Sequence, residues 1–184
     1  MAKTPQDASL PGAGLRALKV GCVPAEEAEE LARQGFAVTA FDIAPAAVAL
    51  ARKRFPNSAV DYQTADLLNP PNRWRRSFDF VLESYALQAL PASLRREAMT
   101  RIASFVKPGG TLLLLARGRR AHEPIGSMPW PLTREELLWF GRLGLYEESF
   151  EEFVDDGPPR TRRFRVAYVM PAEAGAGSAT ASRP

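Results

Sequence analysis

The sequence predicts an α/β domain with a doubly wound, mostly parallel seven-stranded sheet and a C-terminal antiparallel hairpin. Three observations predict this class. Strand-like and helix-like segments alternate between residues 15 and 116, as they do in βαβ units. The run 111–116, TLLLLA, is apolar throughout, which is typical of a strand buried on both faces. The last two strand-like segments are joined by the short link DDGPPR, and so short a link requires antiparallel pairing.

Local signals place each element in order. The first helix ends before Gly35, the second begins at Pro45 and ends before Pro56, and the last begins with a capping box of Thr133 and Glu136. The predicted strands are residues 15–22, 36–41, 58–62, 78–83, 111–116, 145–153 and 162–170. The predicted helices are residues 25–34, 45–55, 91–105 and 133–143.

Length and composition bound the class of protein. The 184 residues are 46% apolar and carry a formal net charge of +3, which fits one globular domain and excludes disorder of the whole chain. The single cysteine, Cys22, allows no internal disulfide and favours a reducing compartment. The chain has neither a secretory signal nor an apolar run long enough to span a bilayer, so we expect a cytoplasmic protein without a membrane partner.

The composition also divides the chain. Residues 1–14 and 171–184 are rich in small residues and proline and lack apolar periodicity. They are predicted to be a flexible N-terminal tail and a disordered C-terminal tail. Residues 15–170 remain as the folded domain.

Candidate site residues follow from the strand ends, because ligands of open parallel sheets bind beyond the carboxyl ends of the strands. The residues in those positions are Gly21, Cys22, Val23, Asp42, Asp66, Glu83, Ser84, Tyr85, Arg117 and Gly118.

Three carboxylates in this set each have two interpretations. Asp42 lies 21 residues beyond Gly21, where a carboxylate can bind a ribose diol, but it could instead cap the second helix. Asp66 could hold an adenine amino group or cap a turn. Glu83 ends an apolar strand, where a buried carboxylate needs either a cationic ligand or a partner such as Arg117.

Five short motifs occur in a fixed order along the domain: VGC at 20–22, DIAP at 42–45, ADL at 65–67, FDFV at 78–81 and KPGG at 107–110. Their order and spacing resemble those of class I S-adenosylmethionine-dependent methyltransferases. The segment 85–110, YALQALPASLRREAMTRIASFVKPGG, is similar to the thiopurine S-methyltransferase-like branch. The resemblance covers roughly residues 15–170 and implies a Rossmann-like methyltransferase fold.

The resemblance implies S-adenosylmethionine as cofactor. Residues 21–23 would form the turn under its methionine part. Asp42 would bind the ribose, and Ile43, Asp66 and Leu67 would lie at the adenine. The implied cofactor-binding residues are Gly21, Cys22, Val23, Asp42, Ile43, Asp66, Leu67 and Glu83.

The implied reaction is methyl transfer to a small-molecule acceptor. Glu83 and Tyr85 would face the sulfonium and the substrate. The one histidine, His122, lies in the loop after the fifth strand and could act as a base or be an exposed loop residue. No metal site is predicted. Because the sequence offers no clear base, a thiol or other soft atom fits best as the methyl acceptor. A thiol has a pKa of about 8.5 and is partly ionised at neutral pH.

The first loop and the N-terminus depart from the family pattern. The usual Gly-Cys-Gly-x-Gly is Gly21-Cys22-Val23-Pro24-Ala25 here, and Lys19 precedes it in a strand expected to be buried. Pro24 could instead open an earlier helix. About 14 residues precede the first strand, so we expect an open pocket, or one that a partner chain completes. A methyltransferase-like binding or scaffold module without catalysis is therefore the alternative function.

Two other function classes are less favoured. A nicotinamide-dependent oxidoreductase would share Asp42 but needs G-x-G-x-x-G, which is missing from the sequence. The basic runs at 73–76 and 160–165 carry no recognition module, so nucleic acid is not expected as a partner. Arg163 and Arg165 share one face of the last strand, which predicts an exposed edge strand protected from aggregation.

Overall fold

The predicted sheet is present in the structure, a computed structural model that describes residues 11–157 and 159–173. Its strand order is β3-β2-β1-β4-β5-β7-β6. The pairs within β3-β2-β1-β4-β5 are parallel, and β7 is antiparallel to both of its neighbours. The strands are β1 (Arg16–Val20), β2 (Ala37–Asp42), β3 (Asp61–Thr64), β4 (Phe78–Ser84), β5 (Val106–Arg117), β6 (Tyr146–Val154) and β7 (Arg162–Val169).

The helices begin and end close to the predicted positions. Pro45 occupies the first turn of its helix, and Gly35 follows the first helix with a φ of 95°. The predicted helix 133–143 divides at Leu138 into two short helices, and the Thr133–Glu136 capping box opens the first of them. The helices are α1 (Glu26–Arg33), α2 (Pro45–Arg54), α3 (Ala92–Phe105), α4 (Arg134–Leu137) and α5 (Trp139–Arg142).

Side chains from the two faces of the sheet form two cores. Helices α1 and α2 pack on one face with residues such as Ala17, Val38 and Ala40, while α3 to α5 pack on the other face with Leu18 and Val81. Strand β5 alternates between fully and partly buried residues. This strand was predicted to be buried on both faces. Its side chains are fully buried on the α3 face and partly buried on the other face.

An aromatic cluster closes the α3 face behind the strand ends. The Trp74 ring is fully buried, and its centroid lies 4.8 Å from that of Phe41, 6.0 Å from Phe105 and 6.5 Å from Phe78. Since Phe41 immediately precedes Asp42, this cluster fixes the end of β2.

The prediction that the last strand forms a sheet edge is wrong. β7 lies between β5 and β6, and β6 is the edge strand. The β7 arginines pair with carboxylates: Arg165 with Glu151, and Arg163 with Asp155. Edge strand β6 is exposed along almost its whole length and rich in glutamate, which is the charged edge that deters association with further strands.

The tails proposed from composition fall mostly outside the described residues, which begin at 11 and end at 173. Residues 11–14 form a turn in which the Gly12 N–H donates to the Gln34 carbonyl over 2.9 Å. This part of the predicted flexible tail therefore packs on the domain. Within the described ranges, no helix has the length and apolar character that crossing a bilayer requires.

We expect Trp74→Ala to lower the free energy of unfolding by about 3–5 kcal/mol, because it leaves a large cavity in a sealed aromatic cluster. Urea unfolding followed by far-UV circular dichroism measures this loss. Leu50→Ala is the control, since Leu50 is 56% exposed and should cost about 0.5 kcal/mol or less. Equal losses for the two variants would contradict the packing described for Trp74.

Candidate active site

A cleft of about 490 Å³ lies at the carboxyl ends of β1, β2, β3 and β4. Its position agrees with the strand-end rule for open parallel sheets. The predicted site residues that line it are Gly21, Val23, Asp42, Ile43, Asp66, Leu67, Ser84 and Tyr85. One wall is apolar and comes from the segment after β4 and the start of α3, with Ala86, Ala89, Leu90 and Leu94.

The β1–α1 loop forms the floor of the cleft. Gly21 adopts a φ of 73°, a conformation that a residue with a Cβ adopts only with strain. Helix α1 begins at Glu26 with Ala25 as its N-cap, so the interpretation in which Pro24 opens the helix is wrong. Residues 21–24 therefore belong to an irregular loop and not to the helix.

Asp42 faces the cleft with a carboxylate that the backbone holds in place. Its Oδ2 accepts from the Cys22 N–H at 3.3 Å, and its Oδ1 accepts from the Ala44 N–H at 3.0 Å. The N-cap residue of α2 is Ala44, without a side-chain cap, so Asp42 does not cap that helix directly. Each oxygen retains a lone pair for a further donor.

Asp66 stabilises the turn after β3. Its Oδ1 accepts from the Leu68 N–H at 2.8 Å, which is the turn-forming role considered for it. The residue also lines the cleft beside Leu67. The turn contact and contact with a ligand are therefore compatible.

Tyr85 lies at the mouth of the cleft in an unusual backbone conformation. Its φ is 62°, and such strain in a non-glycine residue concentrates at functional sites. The Arg163 guanidinium lies 5.3 Å from the centroid of its ring. The C-terminal hairpin therefore reaches the mouth of the cleft. Local sequence patterns did not predict this contact between Arg163 and Tyr85.

Three of the residues predicted to bind the cofactor or to take part in the reaction have side chains outside the cleft. The Cys22 thiol is fully buried in the α1–α2 core. Burial, together with the Asp42 carboxylate, raises its pKa to about 11, so it remains a neutral thiol. His122 is exposed in the loop after β5, and it is not among the residues that line the cleft.

Glu83 is the third, and it is sealed beneath the cleft instead of lining it. Its Oε1 accepts from the Leu87 N–H at 2.9 Å, and Oε2 meets no hydrogen-bond donor among the described residues. Burial raises the pKa of this carboxyl to about 7, although the Leu87 N–H and the Lys19 ammonium oppose the shift. Arg117, its suggested partner, bonds instead to the Pro129 carbonyl.

Gln88 is a structural residue that the sequence analysis missed. Its buried amide accepts from the Arg117 N–H at 2.8 Å and donates to the Trp130 carbonyl at 2.8 Å. It thereby ties the loop after β5 to the segment after β4, next to the cleft. The sequence signal for this role was a single glutamine within the apolar stretch 86–90.

The profile of a family described as the methyltransferase domain matches residues 17–110, which is just over half of the chain. The chain belongs to the methyltransferase domain family. The coarser part of the resemblance, a class I S-adenosylmethionine-dependent methyltransferase, is thereby confirmed.

Curated relatives support the same family. The methyltransferase domain is 38% identical over 113 residues to a ubiquinone biosynthesis O-methyltransferase of Xanthomonas campestris pv. campestris. The alignment covers 60% of this chain and 46% of that protein. The chain spans about half the length of the curated relatives it matches.

Solved structures support the fold. An S-adenosylmethionine-dependent methyltransferase from Methanosarcina mazei aligns with a TM-score of 0.73 at 16% identity, covering 94% of this chain and 100% of that chain. The 1,6-didemethyltoxoflavin-N1-methyltransferase of Burkholderia thailandensis aligns with a TM-score of 0.71 at 16% identity, covering 91% and 77%. These likenesses establish the Rossmann-like methyltransferase architecture.

Glu83 should make the stability of the methyltransferase domain depend on pH. Its folded-state pKa of about 7 lies above its ordinary value of 4.5. Its contribution is therefore complete below pH 4.5 and is lost as pH rises through 7. The unfolding free energy of the wild type should fall by about 3 kcal/mol at most over this pH range, and Glu83→Gln should remove most of that fall.

Urea unfolding at successive pH values from 5 to 8 measures the unfolding free energy at each pH. A shift of one unit in the pKa of Glu83 corresponds to about 1.4 kcal/mol of unfolding free energy. Glu148→Gln, in the exposed edge strand, is the matched control and should keep the wild-type slope. A Glu83→Gln variant with an unchanged slope would contradict the burial of a protonated carboxyl.

Proposed function

We propose that this domain binds S-adenosylmethionine in the strand-end cleft and transfers the methyl group to a small-molecule acceptor. The observation that carries the proposal is the Asp42 carboxylate, fixed by two backbone N–H groups and facing a cleft with an apolar wall. A carboxylate that retains free lone pairs suits a ribose diol. The Burkholderia relative in fold is described with S-adenosylhomocysteine bound.

The cleft offers a place for each part of the cofactor. Asp42 would accept the ribose hydroxyls, and Ile43 and Leu67 would contact the adenine. Ile43 is 67% exposed, so an aromatic base covering it would remove apolar surface from water. Asp66 would lie at the edge of the base, and the loop at Gly21 would lie under the methionine part.

Tyr85 would contact the reacting end of the cofactor. It stands between the end of β4 and the C-terminal hairpin. When bound, S-adenosylmethionine supplies an electrophilic methyl group. The residues at the mouth then align the acceptor and exclude water. Glu83 supports this end from below by holding the Leu87 N–H, without direct contact.

We expect S-adenosylhomocysteine to bind the wild-type domain in the micromolar range. Asp42→Asn should weaken binding roughly 10- to 100-fold, because an amide replaces a charged acceptor of the ribose hydroxyls. Isothermal titration calorimetry measures both constants. Asp61→Asn is the matched control, since Asp61 is exposed at the start of β3 and should bind as the wild type does. Failure of the wild type to bind at millimolar ligand would refute the proposal.

We propose a thiol or other soft atom as the acceptor. The titratable side chains that line the cleft are Asp42, Asp66 and Tyr85, and both aspartates are already engaged in backbone contacts. A thiol needs no strong base. The similarity of residues 85–110 to the thiopurine S-methyltransferase-like branch supports the same choice.

An oxygen acceptor is the second candidate. It is favoured by the name of the Xanthomonas relative, an O-methyltransferase. A phenol or alcohol would need a base, which His122 could supply only if the loop after β5 rearranged. A catalytically impaired scaffold is the weaker alternative, because the carboxylate, the apolar wall and the loop turn face one cleft. A partner chain that covers the exposed Val23 and Ile43 remains a further proposal.

A methyl-transfer assay with matched thiol, catechol and amine acceptors separates these candidates. With a thiol, the rate should rise about tenfold per pH unit below the acceptor's own pKa near 8.5, since the thiolate is the nucleophile. Turnover with the catechol alone, lost in His122→Gln, would instead support the oxygen acceptor and a base from the loop.

A further inference from the structure

Lys19 is a fully buried lysine in the interior strand β1, one residue before the end of that strand and the loop that forms the cleft floor. We propose that Lys19, neutralised by Glu27, is a positioning residue that sets the shape of this loop and the placement of Asp42. The inference rests on the proposed function, because the site it positions is the proposed cofactor site.

The Lys19 ammonium makes two hydrogen bonds and one ion pair. Its Nζ donates to the Val20 carbonyl at 2.9 Å and to the Gly21 carbonyl at 3.0 Å, and it lies 3.2 Å from Glu27 Oε2. A buried ammonium persists only with such partners. Lys19 therefore contacts the last carbonyl of β1, the first carbonyl of the loop and the first turn of α1.

A single peptide plane links Lys19 to Asp42. In a planar trans peptide, the carbonyl and the N–H point in opposite directions. The carbonyl of the Gly21–Cys22 peptide accepts from Lys19, and the N–H of the same peptide donates to Asp42 Oδ2 at 3.3 Å. The ammonium thus orients the amide that orients the carboxylate.

The loop sequence restrains φ at Pro24 but leaves it free at Gly21. Between residues 21 and 25 the sequence provides one glycine, Gly21, and its φ is 73°. The two carbonyl contacts hold the chain on both sides of Gly21, so they stabilise a positive φ that glycine permits but does not require.

Glu27 extends the same network to the neighbouring strand. Its Oε1 accepts from the Ser84 hydroxyl at 2.8 Å, and Ser84 lines the cleft. The carboxylate also cancels a positive charge that would otherwise lie beneath a site proposed to hold a sulfonium. Lys19 and Glu27 therefore join β1, α1 and β4 at the floor of the cleft.

The primary variant is Lys19→Met, which keeps an unbranched chain and removes all three contacts. We expect S-adenosylhomocysteine to bind roughly 10- to 100-fold more weakly by calorimetry, since the lost hydrogen bonds come from a charged group. The double variant Lys19→Glu and Glu27→Lys keeps the pair neutral, but residue 19 can no longer donate to the Val20 and Gly21 carbonyls. It should therefore remain weak, whereas a role in charge balance alone predicts recovery.

The matched control is Glu26→Gln. Glu26 is the neighbour of Glu27 in α1 and pairs with Arg54 at the surface, away from the cleft. It should bind like the wild type. Lys19→Met combined with Asp42→Asn should lose less affinity than the sum of the two single losses, because Lys19 acts in part through Asp42 and coupled sites are not additive. Additive losses would show a general effect on folding.

Amide hydrogen exchange of the ligand-free protein supplies a readout that needs no cofactor. Lys19→Met should raise exchange at the amides of Gly21, Cys22, Val23 and Ala25 and leave β2 and β4 protected. If the wild type failed to bind S-adenosylhomocysteine while exchange rose as expected, the proposed function would fail and the loop role would stand. Unchanged exchange, or unchanged affinity in a folded Lys19→Met variant, would overturn the positioning role.

Discussion

The parallel pairing of β1 with both of its neighbours is the constraint on which the rest of the site depends. Val20 pairs with Phe41 on one side and with Glu83 on the other. The residues that follow, Gly21, Asp42 and Ser84, therefore emerge side by side at one edge of the sheet. A shift of one residue in either register would move the side chains of a strand from one core to the other, so the packing of the two cores holds the edge in place.

The floor of the cleft shows how a loop with a single glycine can keep a defined turn. Gly21 supplies the positive φ, and the Lys19 ammonium holds the carbonyls around it. A lysine in a buried strand contradicts the expectation for a central β-strand. It is tolerated here because Glu27 and two carbonyls satisfy the charge.

The fate of Glu83 illustrates the difference between sequence position and side-chain environment. The sequence places it at the strand end, next to residues that do line the cleft. Alternation along β4 turns its side chain to the α3 face, where the Leu87 N–H meets it and solvent is excluded. The backbone position was predictable, but the direction and burial of the carboxyl depended on the segment packed over it.

The sequence by itself determined the element order, the mostly parallel sheet and the strand-end positions of Gly21, Asp42 and Asp66, because hydrophobic period and helix-terminating residues are local signals. The family resemblance added the class of protein. Only the tertiary structure decided that β7 lies inside the sheet, that Arg163 reaches Tyr85 and that Lys19 is neutralised by Glu27. These facts join segments far apart in the chain, and no local pattern encodes which distant side chains will meet.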